Sequence, residues 1–123
     1  EGKEELAALA SAFALAGTNI HLEGTLPENP SSASALVGII REAATNALKH
    51  GSAKNVYVRI TTTSLESNLT IFDDGAGAAS TIADGCGMPQ MRRAAEALGG
   101  TFEVNLLTPF TLSATIPHQG APS

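Results

Sequence analysis

Apolar side chains between Ala35 and Leu48 recur at steps of three and four residues, the spacing of one face of an α-helix. The pattern predicts a buried helix that ends at Gly51, because glycine commonly follows a helix C-terminus. We expect the serines within residues 28–34, read as a turn, to cap its N-terminus. Weaker amphipathic patterns predict two shorter helices, at residues 4–16 and 88–98.

Alternating apolar and polar positions predict five strands, at residues 19–26, 55–61, 68–72, 101–107 and 110–116. The second and third are joined by a short polar connector, which favours an antiparallel hairpin. Because side chains alternate along a strand, Asp73 follows Leu69 and Ile71 onto the buried face. A carboxylate there can accept a hydrogen bond from a ligand amino group, although aspartate is equally common in a turn such as Asp73-Asp74-Gly75.

The predicted central helix also carries a polar stripe. Glu42, Asn46, Lys49 and His50 are spaced at i, i+4, i+7 and i+8, which aligns them along one side of the helix. Buried polar groups are costly without partners. A divalent metal ion with attached phosphates would satisfy all four groups together. The alternative is a solvated outer face that carries i,i+4 pairs.

A glycine-rich segment, residues 75–87, separates the third strand from the last helix. Glycines at both of its ends permit large backbone changes, so we expect a lid. Gly85 and Gly87 directly precede the predicted helix start at Met88. A turn of this kind presents free N–H groups and the positive end of the helix dipole, which suits phosphate, although many unrelated turns share the pattern.

Composition narrows the class of protein. With 123 residues, 43% of them hydrophobic, the chain predicts one folded domain and excludes disorder. A net charge of −5 argues against direct nucleic-acid binding. The single cysteine, Cys86, excludes an internal disulfide and a multi-cysteine zinc site, and it fits a reducing, intracellular compartment. The start at Glu1 without methionine suggests a fragment of a longer protein.

Three segments together resemble a known family. Residues 41–50 resemble the N box of the GHKL ATPases, Asp73-Asp74-Gly75-Ala76-Gly77 their G1 box, and Gly85-Cys86-Gly87-Met88 their G2 box. Their order is most similar to the catalytic, ATP-binding domain of bacterial sensor histidine kinases, in particular the subgroup that works with LuxR-type response regulators. The resemblance covers residues 1–117 and leaves residues 118–123 as a predicted flexible tail. It implies the Bergerat fold, a two-layer α/β sandwich whose mixed, mostly antiparallel sheet carries helices on one face.

The resemblance also implies ATP and Mg²⁺ as cofactors. It assigns ATP binding to the following residues: Asn46, Lys49, His50, Asp73, Gly75, Gly77, Gly85, Gly87 and Met88. Within this set Asn46 is the expected Mg²⁺ ligand, and Asp73 is the expected acceptor for the exocyclic amine of adenine. Glu42 and Lys49 are the expected catalytic residues, Glu42 by polarising the incoming nucleophile or a metal-bound water.

In the family, the phosphorylated histidine lies on a separate dimerisation domain, and neither His21, His50 nor His118 has that context. The implied partners are therefore this domain, in a homodimer of the intact kinase, and a response regulator. The implied location is cytoplasmic, with anchoring of the intact protein in a membrane left open. Two alternatives remain: a serine kinase of the anti-sigma-factor type that uses the same pocket, and a non-catalytic interaction module with a degenerate pocket.

Overall fold

The structure is a computed structural model that describes residues 2–51, 54–74, 88–105 and 111–118. Within these ranges the chain forms three helices and five strands, in the order α1 (Gly2–Leu15), β1 (Asn19–Glu23), α2 (Pro30–Gly51), β2 (Asn55–Thr62), β3 (Glu66–Asp73), α3 (Met88–Glu96), β4 (Thr101–Asn105) and β5 (Thr111–Pro117). The predicted elements are all present, with ends that shift by a few residues.

The five strands form one sheet in the order β1-β2-β3-β5-β4. Only β1 and β2 run parallel, whereas every other neighbouring pair is antiparallel. The predicted hairpin is confirmed: β2 and β3 pair from Val56 opposite Asp73 to Thr62 opposite Ser67. The mixed, mostly antiparallel sheet agrees with the predicted fold class.

One face of the sheet packs against the helices and forms the core. Alternate residues of β2, β3 and β5 are buried, and they share one hydrophobic cluster with residues of all three helices. Leu36 and Ile40 of α2 are 0% exposed, as are Val56 and Ile116 of the sheet. The chain is therefore the predicted two-layer α/β sandwich, with α2 as its central helix.

Helices α1 and α3 end in the same way. Gly17 and Gly99 adopt φ values of 97° and 80°. After each glycine, a backbone N–H reaches back to the last helical turn, from Thr18 to Phe13 at 2.9 Å and from Gly100 to Ala95 at 2.9 Å. Both are Schellman caps, which need a left-handed residue that glycine supplies without steric cost.

The predicted N-terminal cap of α2 is wrong. The helix begins at Pro30, so Ser32 lies inside it and is fully buried. The cap is Asn29, whose Oδ1 accepts a hydrogen bond from the N–H of Ser32 at 3.0 Å. Asparagine is at least as good a cap as serine, and proline favours the first helical position, so the pair Asn29-Pro30 determines the start.

Strand β1 is shorter than predicted and less covered. It ends at Glu23, and Leu22, expected to face the core, is 47% exposed. The reason is its position at the edge of the sheet, where it lines an open groove between β1, α1 and the start of α2. None of the helices in the described part of the chain is long and apolar enough to cross a membrane.

Two glycines provide a matched test of the fold. Gly24 has a φ of 95°, and an added Cβ would collide with the backbone carbonyl of Ile60. Gly38 lies inside α2 with open space around its Cα. We expect Gly24→Ala to lower the free energy of unfolding by at least about 2 kcal/mol. Gly38→Ala should raise it by about 0.5–1 kcal/mol, because alanine restricts the unfolded chain and favours the helix.

Urea denaturation of both variants measures these changes. The same chemical substitution should thus change stability in opposite directions at the two positions. Equal effects would contradict the backbone conformation described at Gly24.

Candidate functional site

Among the described side chains of the predicted stripe on α2, Asn46 is the buried one. It is only 3% exposed, and it lies among the alanines that face the sheet, with Ala43 6% and Ala47 1% exposed. Glu42, one turn earlier, is half-buried. The alternative of a fully solvated helix face therefore does not hold for Asn46. The backbones of Lys49 and His50 belong to the last turn of α2, whereas their side chains lie outside the described part.

Asp73 is the last residue of β3 and pairs with Val56 of β2. It is half-buried and follows buried Leu69 and Ile71 on the same side of the strand. The predicted parity is confirmed. Because α2 packs against this face, Asp73 and Asn46 both lie on the helix side of the sheet.

The carboxylate of Asp74, the residue after β3, is hydrogen-bonded to the start of β2 and closes the open end of the hairpin. Its Oδ1 accepts hydrogen bonds from the N–H groups of Lys54 and Asn55, at 2.9 and 3.0 Å. Its Oδ2 accepts from Nδ2 of Asn55 at 2.8 Å. The side-chain hydrogen bond from Asn55, followed by its backbone hydrogen bond, lowers the pKa of Asp74 below its usual value. These bonds favour the carboxylate, so Asp74 is an anionic acceptor at neutral pH.

A row of aromatic rings lies on the face of the sheet opposite the three described helices. The rings of His21 and Tyr57 stack at 4.8 Å, and those of Tyr57 and Phe72 at 5.1 Å. Nε2 of His21 also lies 2.8 Å from Oδ1 of Asn55. His21 is exposed, and neither contact could be predicted from the alternation of side chains along β1.

His118 is held in place at the end of β5. Its N–H donates to the carbonyl oxygen of Leu65 at 2.9 Å, and its Nε2 lies 3.1 Å from Oγ of Ser67. This residue is therefore anchored, although the sequence suggested that a tail begins here. Residues 119–123 lie outside the described part, and the domain boundary at 117 stays a prediction.

The predicted phosphate- and adenine-binding glycines cannot be placed. Gly75, Gly77, Gly85 and Gly87 lie outside the described residues, as does the predicted lid. Met88 begins α3, as predicted.

The body of α3 packs against the core. Met91 and Ala95 on its core face are 1% and 0% exposed. Nη1 of Arg92 donates to the carbonyl oxygen of Phe102 at 2.9 Å, and its guanidinium lies 5.4 Å from that ring. The helix that follows the second glycine turn is thus fixed to β4.

Two cavities are lined by described residues, and neither contains a predicted nucleotide ligand. A groove of about 990 Å³ lies between α1, β1 and the start of α2, with Leu6, Ile20 and Leu26 in its wall. A smaller hollow of about 120 Å³ lies beside the aromatic row. The predicted site would be completed by residues 75–87, so its volume cannot appear within the described part.

Among the described residues no group of three or more His, Cys, Asp or Glu side chains is arranged to hold a metal ion. Mg²⁺ does not require such a cage, because it usually takes one or two oxygen ligands from the protein and completes its shell with water and substrate phosphates. An amide oxygen such as that of Asn46 has the chemistry of such a ligand.

Comparison with known proteins supports the fold. No protein-family model and no curated protein matches the sequence. Among solved structures, the Erythrobacter litoralis EL346 blue-light activated histidine kinase aligns with 98% of this chain at a TM-score of 0.74 and 19% identity. The Acinetobacter baumannii histidine kinase AdeS covers 96% at a TM-score of 0.70 and 19% identity. The ATP binding domain of PrrB from Mycobacterium tuberculosis covers 98% at a TM-score of 0.70 and 21% identity.

This chain shares their fold. It spans 45% of the Erythrobacter structure, 65% of AdeS and 93% of the PrrB domain. The alignment therefore covers less than two thirds of the two kinase structures and nearly the whole of the PrrB domain.

Proposed function

We propose that this chain is the ATP-binding catalytic domain of a sensor histidine kinase. In this role it holds ATP with Mg²⁺ for transfer of the γ-phosphoryl group to a histidine on a separate dimerisation domain. The observation that carries the proposal is the placement of Asn46 and Asp73 on the helix side of a sheet whose fold matches an ATP binding domain over 93% of its length.

The proposed roles follow from the chemistry of the groups. Asp73, half-buried at the end of β3, accepts a hydrogen bond from the exocyclic amine of adenine. Asn46 provides the metal-ligating oxygen from the C-terminal half of α2. Lys49 and His50, in the last turn of that helix, contact phosphate oxygens, and Glu42 orients the nucleophile. Mg²⁺, when bound, neutralises charge on the phosphates. Phosphoryl transfer depends mainly on positioning and charge neutralisation, so this modest set of groups is sufficient.

The glycine pairs complete the proposed pocket. Gly75 and Gly77 shape the adenine end, and Gly85 and Gly87, directly before Met88, lend backbone N–H groups to the phosphates. The start of a helix is a favourable place for an anion, and the packing of α3 against β4 fixes its direction.

The subgroup and the partners of the kinase are proposed from the residues of the three segments that resemble the N, G1 and G2 boxes. We propose that the kinase belongs to the subgroup that works with LuxR-type response regulators and that the intact protein is a homodimer. Its other partners are then its own dimerisation domain and the cognate regulator.

A thermal-unfolding titration tests nucleotide binding directly. ATP with Mg²⁺, at about a hundred times its dissociation constant, should stabilise the chain by about 2.7 kcal/mol. GTP, or ATP without Mg²⁺, should stabilise it much less. The absence of any shift at millimolar nucleotide would contradict the proposal and favour a non-catalytic interaction module.

The chemistry of the phosphorylated product separates the two kinase alternatives. When the intact protein is incubated with ATP, a histidine kinase gives an acid-labile phosphoramidate. A serine kinase gives an acid-stable phosphate ester on its protein substrate.

A further inference from the structure

Asp73 is held between two anchored neighbours. On one side of it along β3, the Phe72 ring stacks on Tyr57 on the face of the sheet opposite the helices. On the other side, Asp74 is tied to the start of β2 by its carboxylate and by its own N–H, which donates to the carbonyl oxygen of Asn55 at 3.1 Å. Asp73 itself points to the opposite, helix-covered face. The contacts of its two neighbours therefore help to set its direction.

In the hydrogen bonds around Asp74, the carboxylate determines which groups donate and which accept. A carboxylate only accepts, so Asn55 must turn its Nδ2 toward Asp74 and its Oδ1 toward His21. Nε2 of His21 must then carry a hydrogen and donate it. Asp74 thus orients Asn55, and Asn55 orients an imidazole that stacks on the same aromatic row as Phe72.

We propose that Asp74 and Asn55 are positioning residues for nucleotide binding, which hold Asp73 in the direction needed to receive adenine. We name Asp74, Asn55 and the N–H of Lys54 the Asp74 clamp. Its role assumes the nucleotide site of the proposed function, because the clamp lies outside the pocket and acts only through Asp73. The alternative is that the Asp74 clamp has a purely structural role and only closes the end of the hairpin.

Removing the clamp should weaken ATP binding more than it weakens the fold. We expect Asp74→Ala to raise the dissociation constant of ATP about tenfold, because small errors in the position of a contact group are costly. The unfolding temperature should change little, since Asp74 is exposed. Glu23→Ala is the matched control: it removes an exposed carboxylate at the other end of β1, whose Oε1 accepts from Nε of Arg59 at 3.0 Å. This control should bind ATP like the wild type.

Exchanging the side chains of Asn55 and Asp74 tests whether the Asp74 clamp positions Asp73 or only closes the end of the hairpin. In Asp74→Asn the new amide can still accept both backbone hydrogen bonds, but its NH₂ group faces that of Asn55. The double variant Asn55→Asp with Asp74→Asn restores one donor and one acceptor, and it should recover ATP affinity to within about threefold of the wild type. If Asp74→Asn alone makes Asn55 flip, His21 must change from the Nε2–H to the Nδ1–H tautomer, which ¹⁵N chemical shifts of the ring report.

The outcomes distinguish the two proposals. A wild type that binds no nucleotide overturns the proposed function and, with it, this role of the clamp. A wild type that binds ATP while Asp74→Ala binds equally well overturns the positioning role alone. An affinity loss that only parallels a loss of stability, with no recovery in the double variant, would show that the clamp is a structural closure.

Discussion

Replacing Asn46 with alanine should abolish the Mg²⁺-dependent part of ATP binding. Asn46 lies in the C-terminal half of α2 and is buried, with 3% exposure. Alanine has no oxygen to offer a metal ion, and the binding of ATP in the absence of Mg²⁺ should change much less. The free energy of unfolding should fall by about 1 kcal/mol, because a buried polar group loses its interactions. Calorimetric titration with ATP, with and without Mg²⁺, measures the effect.

Thr45→Ala is the matched control for this change. Thr45 is the preceding residue of the same helix, and its Oγ1 donates to the carbonyl oxygen of Arg41 at 2.7 Å, within α2 itself. Loss of this local hydrogen bond should leave Mg²⁺-dependent affinity unchanged. If Asn46→Ala kept its Mg²⁺-dependent affinity within about threefold of the wild type, the metal assignment would be wrong.

Replacing Asp73 with asparagine should remove the preference for ATP over GTP. The carboxylate becomes an amide, which is partly a donor, and the exocyclic amine of adenine then loses a charged acceptor. Hydrogen bonds to charged groups contribute about 1.5–3 kcal/mol, so ATP affinity should fall about ten- to a hundredfold. Competition binding with the two nucleotides gives the ratio directly.

Glu103→Gln controls for the loss of one negative charge. Glu103 is exposed on β4, and its conversion to an amide should leave both affinities unchanged. Retention of the ATP preference in Asp73→Asn would show that adenine is recognised by another group.

Features determined by local geometry could be predicted from the sequence. The face on which Asp73 lies follows from the alternation of side chains along β3, and only the position of Leu69 and Ile71 is needed to infer it. The C-terminal caps at Gly17 and Gly99 likewise follow from the conformational freedom of glycine. The hairpin of β2 and β3 could be predicted because its connector is short.

Features that depend on residues far apart in the sequence could not be predicted from it. The partners of Asp74 lie 19 and 20 residues away, so the sequence shows only a common turn motif. The exposure of Leu22 depends on the position of β1 at the edge of the sheet, which alternation does not reveal. The start of α2 was misplaced for a different reason, since several good capping residues stand close together and Asn29 is favoured by the proline that follows it.

The aromatic row also determines what optical spectroscopy can observe. The chain has no tryptophan, and Tyr57 is its single tyrosine. Its intrinsic fluorescence therefore reports one position, a ring stacked between His21 and Phe72 on the face opposite the core. Far-ultraviolet circular dichroism reports the helices and strands instead. Agreement between the two signals during unfolding would show that the outer face and the core melt together. An earlier change in fluorescence would mean that the end of the hairpin beside Asp73 opens before the rest.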